Sequence, residues 1–189
     1  MEKLNRQQIL SLPNGLTVIR ILAIPIILFL LFYPEPEQGC RLITALFFLS
    51  VAVTDTLDGY IARRRGMVTT LGQFLDPLAD KLLIVAALIA LIPARGIPAW
   101  MVIVIIGREI SVTGLRGIAV SQGIVISVTR LGKYKTVLEV ASISFLILNG
   151  DYFSIDWYQV GMGLLWVAMA LAVISGVDYF KKFLKSIII

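Results

Sequence analysis

The sequence predicts an all-α polytopic membrane protein, six transmembrane helices preceded by an N-terminal interfacial amphipathic helix. Three observations predict it. Of 189 residues, 58% are hydrophobic and 15% charged, at a mean hydropathy of +0.91, which is far too apolar for a soluble domain. Six apolar runs each approach the ~20 residues that a helix needs to cross hydrocarbon. Basic residues gather on alternate connections, as the positive-inside rule requires of cytoplasmic loops.

The elements follow in order. Leu4, Ile9, Leu10 and Leu12 among polar residues suggest a short helix over 1–12 lying on the membrane surface. No small-residue cleavage site follows Lys3 and Arg6, so no cleavable signal peptide is expected. Spans are expected near 15–33, 41–62, 72–92, 97–119, 134–150 and 156–178. Pro34 and Pro36 close the first, Pro93 and Pro98 bracket the third connection, and Asn149-Gly150-Asp151 ends the fifth. Nothing divides the chain, so 1–189 reads as a single membrane domain.

An even number of spans puts both termini on one side. Lys3, Arg6, Arg63-Arg64-Arg65, Arg116, Arg130, Lys133, Lys135, Lys181, Lys182 and Lys185 belong to that side, against Arg41 and Arg95 on the other. That makes the basic side cytoplasmic. Zinc chemistry and histidine acid–base catalysis are excluded, because the chain has one cysteine, Cys40, and no histidine. No nucleic-acid partner is expected.

Four aspartates break this apolar pattern. Asp55 and Asp58 are three residues apart, and Asp76 and Asp80 four apart, so each pair shares one helix face. An acid in hydrocarbon costs a few kcal/mol at least, so it faces a partner, a cavity or an ion. Two such faces turned together would call for cations, and an all-oxygen donor set favours hard divalent ions. Gly59 and Ala62 remove bulk on the same helix, Gly72 does so at the start of the next, and Arg63 adds a cation beside them. The alternative is an internal salt bridge, such as Asp80 with Lys81 or Glu109 with Arg108. Lys81 itself reads as a pairing or snorkelling residue.

Two further groups are polar. Asn14, Thr17 and Arg20 recur at intervals of three and share a face at the start of the first span. The same stripe also fits an N-cap at Asn14 and a snorkelling arginine. Arg108 and Arg116 lie eight apart, about two helical turns, and Lys133 and Lys135 open the fifth span. Cations beside an acidic site make a pocket for a small anion bearing a hydroxyl. A solvated face attracted to anionic lipid remains the other reading.

Asp55, Asp58, Gly59, Ala62, Arg63, Gly72, Asp76 and Asp80 form the pattern D-x₂-D-G-x₂-A-R-x₈-G-x₃-D-x₃-D, eight specified residues over 26 positions. It resembles the signature of the CDP-alcohol phosphotransferase family, a compact six-span membrane domain. The resemblance implies that Asp55, Asp58, Asp76 and Asp80 hold two divalent cations, Mg²⁺ or Mn²⁺, and that Asp80 is the general base. It implies that Asn14, Thr17, Arg20, Gly59, Ala62, Arg63 and Gly72 bind CDP-diacylglycerol, and it also implies a homodimer. Small residues of the last span, Gly161, Gly163, Ala168, Ala170 and Ala172, would let helices approach closely in a dimer or within one chain.

Within the family, Gly107-Arg108-Glu109, Leu115-Arg116-Gly117 and Gly132-Lys133-Tyr134-Lys135-Thr136 are similar to the bacterial branch whose acceptor is sn-glycerol 3-phosphate. Arg108, Arg116, Lys133 and Lys135 are then the expected acceptor-binding residues. The implied reaction passes a phosphatidyl group from CDP-diacylglycerol to that acceptor and releases CMP, at the cytoplasmic face of a bacterial membrane. Inositol phosphate fits the charge equally well, whereas serine needs less of it. A divalent-cation transporter is the competing class. It would need acids near mid-bilayer and a polar path to the far side, whereas the last two spans are nearly free of such residues, Glu139 excepted.

Overall fold

Among the described residues six long helices follow one another: α1 (Leu12–Phe32), α2 (Gln38–Arg65), α3 (Thr70–Arg95), α4 (Ala99–Ser121), α5 (Arg130–Leu148) and α6 (Trp157–Ile188). The computed structural model describes the backbone of residues 12–33, 38–65, 70–123, 130–152 and 154–188, and the side-chain surroundings of 20–33, 39–54, 81–123, 131–151 and 154–186. The expected surface helix over 1–12 and the prolines Pro34 and Pro36 lie outside the described residues, apart from Leu12, which opens α1.

Each helix buries one stripe. Ala23, Ile27 and Leu31 recur every fourth residue on α1, while Ala45, Phe48 and Ala52 follow at three and four on α2. They close on Leu83, Ala87, Leu88 and Leu91 of α3, Met101 and Ile105 of α4, Ile143, Leu146 and Ile147 of α5, and Leu165 of α6. Among the described residues α5 packs most extensively on α6, and α1 on α3. The outward faces are also apolar. Leu22, Phe29, Ile43, Ile103, Ile110 and Val137 are 60–68% exposed, the reverse of a water-soluble bundle. Among the described residues one stretch, Trp157–Ser186 of α6, is both long and apolar enough to cross a membrane, and Arg20–Phe32 and Gly39–Thr54 are shorter apolar helices.

Several helix ends depart from expectation, and two of them have a local cause. The third helix runs to Arg95, so Pro93 sits inside its last turn. Gly96 terminates it instead, adopting φ +67° and donating its N–H to the Ile92 carbonyl at 2.9 Å. Helix α6 continues ten residues past the expected boundary at 178, because Tyr179 and Phe183 prolong the buried stripe of Ala168, Ala172 and Ser175.

A two-residue antiparallel ladder, β1 (Asp151–Tyr152) with β2 (Ile155–Asp156), joins α5 to α6 and departs from an all-helical chain. Asn149 and Ser154 take positive φ at its turns. Asp156 then caps α6, its Oδ1 accepting from the backbone N–H groups of Tyr158 and Gln159 at 3.0 and 3.2 Å.

The same end of the bundle explains two arginines that stood apart from the basic side. Arg41 donates to the carbonyl of Asn149, and Arg95 to those of Leu146 and Ile147 at 3.3 and 3.4 Å. Both therefore satisfy the C-terminal carbonyls of α5, where cations are favoured. Trp100 and Trp166 meet edge to face at 5.4 Å toward this end, and Trp157 packs on Phe145 at 4.8 Å.

Candidate active site

The opposite end of the bundle gathers the residues that carry the sequence pattern. Asp55, Asp58, Gly59, Ala62 and Arg63 lie on the last turns of α2, and Gly72, Asp76 and Asp80 on the first turns of α3. Asn14 and Thr17 lie in the first turns of α1. All are helical, so the three-residue and four-residue spacings place each aspartate pair on one face. The side-chain surroundings of these ten residues lie outside the described residues. Arg20, one turn further along α1, is 4% exposed and so belongs to the interior of the bundle.

The basic residues are resolved into two kinds. Arg108 and Lys135 are internal. Arg108 carries its stem over Gly176, where an added Cβ would stand 3.0 Å from Arg108 Cγ. Its Nε donates to the Ala172 carbonyl at 3.3 Å, its Nη2 to Ser175 Oγ at 2.9 Å, and its Nη1 to Glu109. Lys135, 1% exposed, also donates to Glu109 and lies 2.8 Å from Glu139. The Lys135–Glu139 contact is an ion pair without hydrogen-bond alignment, and Glu139 Oε1 finds no aligned donor among the described residues. The Arg108–Glu109 pair is thus the internal salt bridge that the sequence offered as an alternative, and it has three further partners.

Arg116 and Lys133 are different: both are exposed. The Arg116 guanidinium stands 5.9 Å from the ring centre of Tyr179, within cation–π range. The Tyr179 hydroxyl is buried with no hydrogen-bond partner among the described residues. Ser175 and Tyr179 are four apart on α6 and meet Arg108 and Arg116, which are two turns apart on α4. Sequence reasoning missed both. The available signal was the i, i+4 pair of hydroxyls in a helix otherwise read only for small residues.

One more contact reaches the acidic motif. Lys81, which follows Asp80 on α3, hydrogen-bonds Thr113 Oγ1 of α4. The Thr113 hydroxyl donates in turn to the Glu109 carbonyl at 2.7 Å. Lys81 is therefore a pairing residue across helices. A continuous polar seam runs from α3 through α4 to α5 and α6, in a part of the bundle otherwise built from aliphatic side chains.

Among the described side chains no group of three or more His, Cys, Asp or Glu could hold a metal ion. The four aspartates of α2 and α3 supply the donor chemistry that fits one: carboxylate oxygens only, in two pairs on the ends of successive helices.

The chain belongs to the CDP-alcohol phosphatidyltransferase family, whose model matches residues 10–174. Among its relatives is the CDP-diacylglycerol–glycerol-3-phosphate 3-phosphatidyltransferase of Bacillus subtilis, 42% identical over 182 residues that cover 91% of this chain and 94% of the relative. The Rickettsia bellii protein of the same name is 38% identical, over 90% of this chain and 94% of its own. A probable phosphatidylglycerophosphate synthase of Mycobacterium tuberculosis is 36% identical, over 96% of this chain and 86% of its own.

Proposed function

We propose that the chain is an integral-membrane transferase that moves a phosphatidyl group from CDP-diacylglycerol to the primary hydroxyl of sn-glycerol 3-phosphate. What supports this reading is the identity of 42% to a relative of that name, together with the acidic motif on the end of α2 and the start of α3. The acceptor oxygen forms a bond to the phosphorus that bears the diacylglycerol. The bond from that phosphorus to the bridging oxygen breaks, and CMP leaves with the bond's electron pair.

Asp80 accepts the proton of the attacking hydroxyl. Asp55, Asp58 and Asp76, with Asp80, would hold two divalent cations, Mg²⁺ or Mn²⁺, which neutralise the diphosphate and favour departure of CMP. Gly59, Ala62 and Gly72 let the nucleotide lie close to the backbone, while Asn14, Thr17, Arg20 and Arg63 bind the CDP group. Arg116 and Lys133, the exposed cations, meet the acceptor phosphate. Arg108 and Lys135 serve the same pocket from inside the bundle, and Ser175 and Tyr179 form its α6 wall.

The chain is one domain with six spans, its N-terminal segment lying on the membrane surface. The apolar outward faces, and the aromatic residues Tyr33, Trp100 and Trp157 at helix ends opposite the acidic motif, support this reading. Both termini and the site lie on the cytoplasmic side of a bacterial membrane, where lipid enters from the bilayer and acceptor from water. As a homodimer, it would use the small residues left exposed on α6, Gly163 and Ala170. Gly161, Ala168 and Ala172 are already buried within the chain. Crosslinking in native membranes that yields only monomer overturns the dimer.

The test is a transfer assay on purified protein with Mg²⁺ or Mn²⁺, CDP-diacylglycerol and labelled sn-glycerol 3-phosphate, in competition with inositol phosphate and serine. Labelled lipid and stoichiometric CMP are expected, with little competition from the other two. Label absent from lipid, while inositol phosphate is consumed, moves the chain to another acceptor in the same family.

A further inference from the structure

We infer that Glu109 is a positioning residue for the acceptor site, a deeper reading of the same site that rests on the phosphatidyl-transfer assignment. Its carboxylate accepts from Arg108 of its own helix and from Lys135 of α5. Its backbone carbonyl accepts from Thr113, which receives Lys81, the neighbour of Asp80. Through Arg108 it also reaches Ala172 and Ser175 of α6. One residue of α4 therefore joins the helix that carries the acidic motif to both helices that follow.

Charge separates this role from substrate binding. Two cations, Arg108 and Lys135, stand among two carboxylates, Glu109 and Glu139. The group is balanced and adds little net attraction for an anion. The exposed Arg116 and Lys133 supply that attraction. Burial is graded in the same sense, with Lys135 and Glu139 at 1% and 3% side-chain exposure and Arg108 and Glu109 at 15% and 20%. The buried pair anchors the group, while Glu109 holds the partly open edge from which α4 presents Arg116 two turns on. Glu109 is the carboxylate that Arg108 and Lys135 share, so its removal takes away the contact that fixes the two cations relative to each other.

The experiment compares Glu109→Gln and Glu109→Asp with the unmodified full-length protein in lipid nanodiscs, measuring KM for both substrates, kcat and thermal midpoint. Hydrogen bonds to charged groups are the strongest that a side chain makes, so loss of this carboxylate is expected to raise KM for glycerol 3-phosphate about tenfold or more. KM for CDP-diacylglycerol should stay within about twofold, and Glu109→Asp should recover part of the loss. An unchanged acceptor KM in folded Glu109→Gln protein overturns the inference. So does a fall in thermal midpoint and active fraction with both KM values intact, the outcome of a merely structural role. If Glu109→Gln does not fold, Glu109→Asp alone decides, an unaltered acceptor KM again overturning the inference. Inorganic phosphate serves as an independent probe, by thermal shift. Weaker phosphate binding in the variants supports positioning even if the unmodified protein fails to use glycerol 3-phosphate, a failure that would overturn the acceptor assignment instead.

Discussion

The ammonium of Lys135 lies 2.8 Å from the carboxylate of Glu139, one turn along α5, at 1% and 3% side-chain exposure. Such a pair is costly to create and more costly to break. Removing ions from water costs several kcal/mol each, and mutual attraction offsets this only while both are present. Lys135 also meets Glu109, so the same ammonium ties α5 to α4.

Lys135→Met should therefore destabilise the protein by about 3–5 kcal/mol, since it leaves two carboxylates without their common cation. The double variant Lys135→Met/Glu139→Met replaces the i, i+4 pair by apolar groups and should recover much of that loss. Thermal unfolding in detergent distinguishes the two. A double variant no better than the single one would mean that Glu109, not Glu139, is the partner that matters.

Gly161 marks a close approach of α5 and α6. An added Cβ would stand 2.9 Å from Leu146 Cγ and 3.0 Å from the Leu146 backbone nitrogen, while Ser142 Oγ donates to the Gly161 carbonyl at 2.8 Å. Gly161→Ala should cost about 1–3 kcal/mol through overpacking. Gly163→Ala, which would meet nothing within 4 Å, should instead gain up to about 1 kcal/mol of helix propensity. Equal shifts in thermal midpoint for the two would remove the close-approach explanation.

The order of the helices was legible because long apolar runs have few alternatives, and the acidic pattern was legible because carboxylates rarely stand among aliphatic residues. What escaped depends on contacts between distant residues. The alternatives at Arg108 were function or an internal pair with Glu109, yet its partners Ala172 and Ser175 lie more than sixty residues away. Lys135 looked like Lys133, two positions before it, and their opposite exposure follows from helical phase, which turns position 135 into the bundle and position 133 out of it. Arg41 and Arg95 read only as exceptions to a charge rule, since nothing in their own segments says that they cap α5.

Arg116 and Tyr179 should respond differently to substitution. Arg116→Gln removes an exposed cation and should raise KM for glycerol 3-phosphate about tenfold, with thermal midpoint nearly unchanged. Tyr179→Phe keeps the ring under the guanidinium and deletes only the unpaired buried hydroxyl. If that hydroxyl meets the acceptor, KM should rise while stability holds or improves, because a buried hydroxyl without a partner is itself unfavourable. Unchanged KM with raised stability would mean that the hydroxyl recognises nothing.

The sharpest test of the proposed division of labour among the aspartates is Asp80→Asn. Asparagine preserves size and one oxygen while removing the charge and the proton-accepting capacity. A positioned general base contributes about 10²–10⁴-fold, so kcat should fall by at least about a hundredfold. Binding of CDP-diacylglycerol should persist if Asp55, Asp58 and Asp76 suffice to retain cations. Asp55→Asn should behave in the opposite sense, weakening CDP-lipid and metal affinity before it affects the proton-transfer step. Chelation of divalent ions should abolish turnover in the unmodified protein, with recovery on adding Mg²⁺ or Mn²⁺. Titrating metal against activity in both variants separates the roles. A raised metal requirement in Asp55→Asn, with a normal requirement and low maximal rate in Asp80→Asn, supports the division. The reverse pattern would make Asp80 chiefly a ligand and would place the base elsewhere.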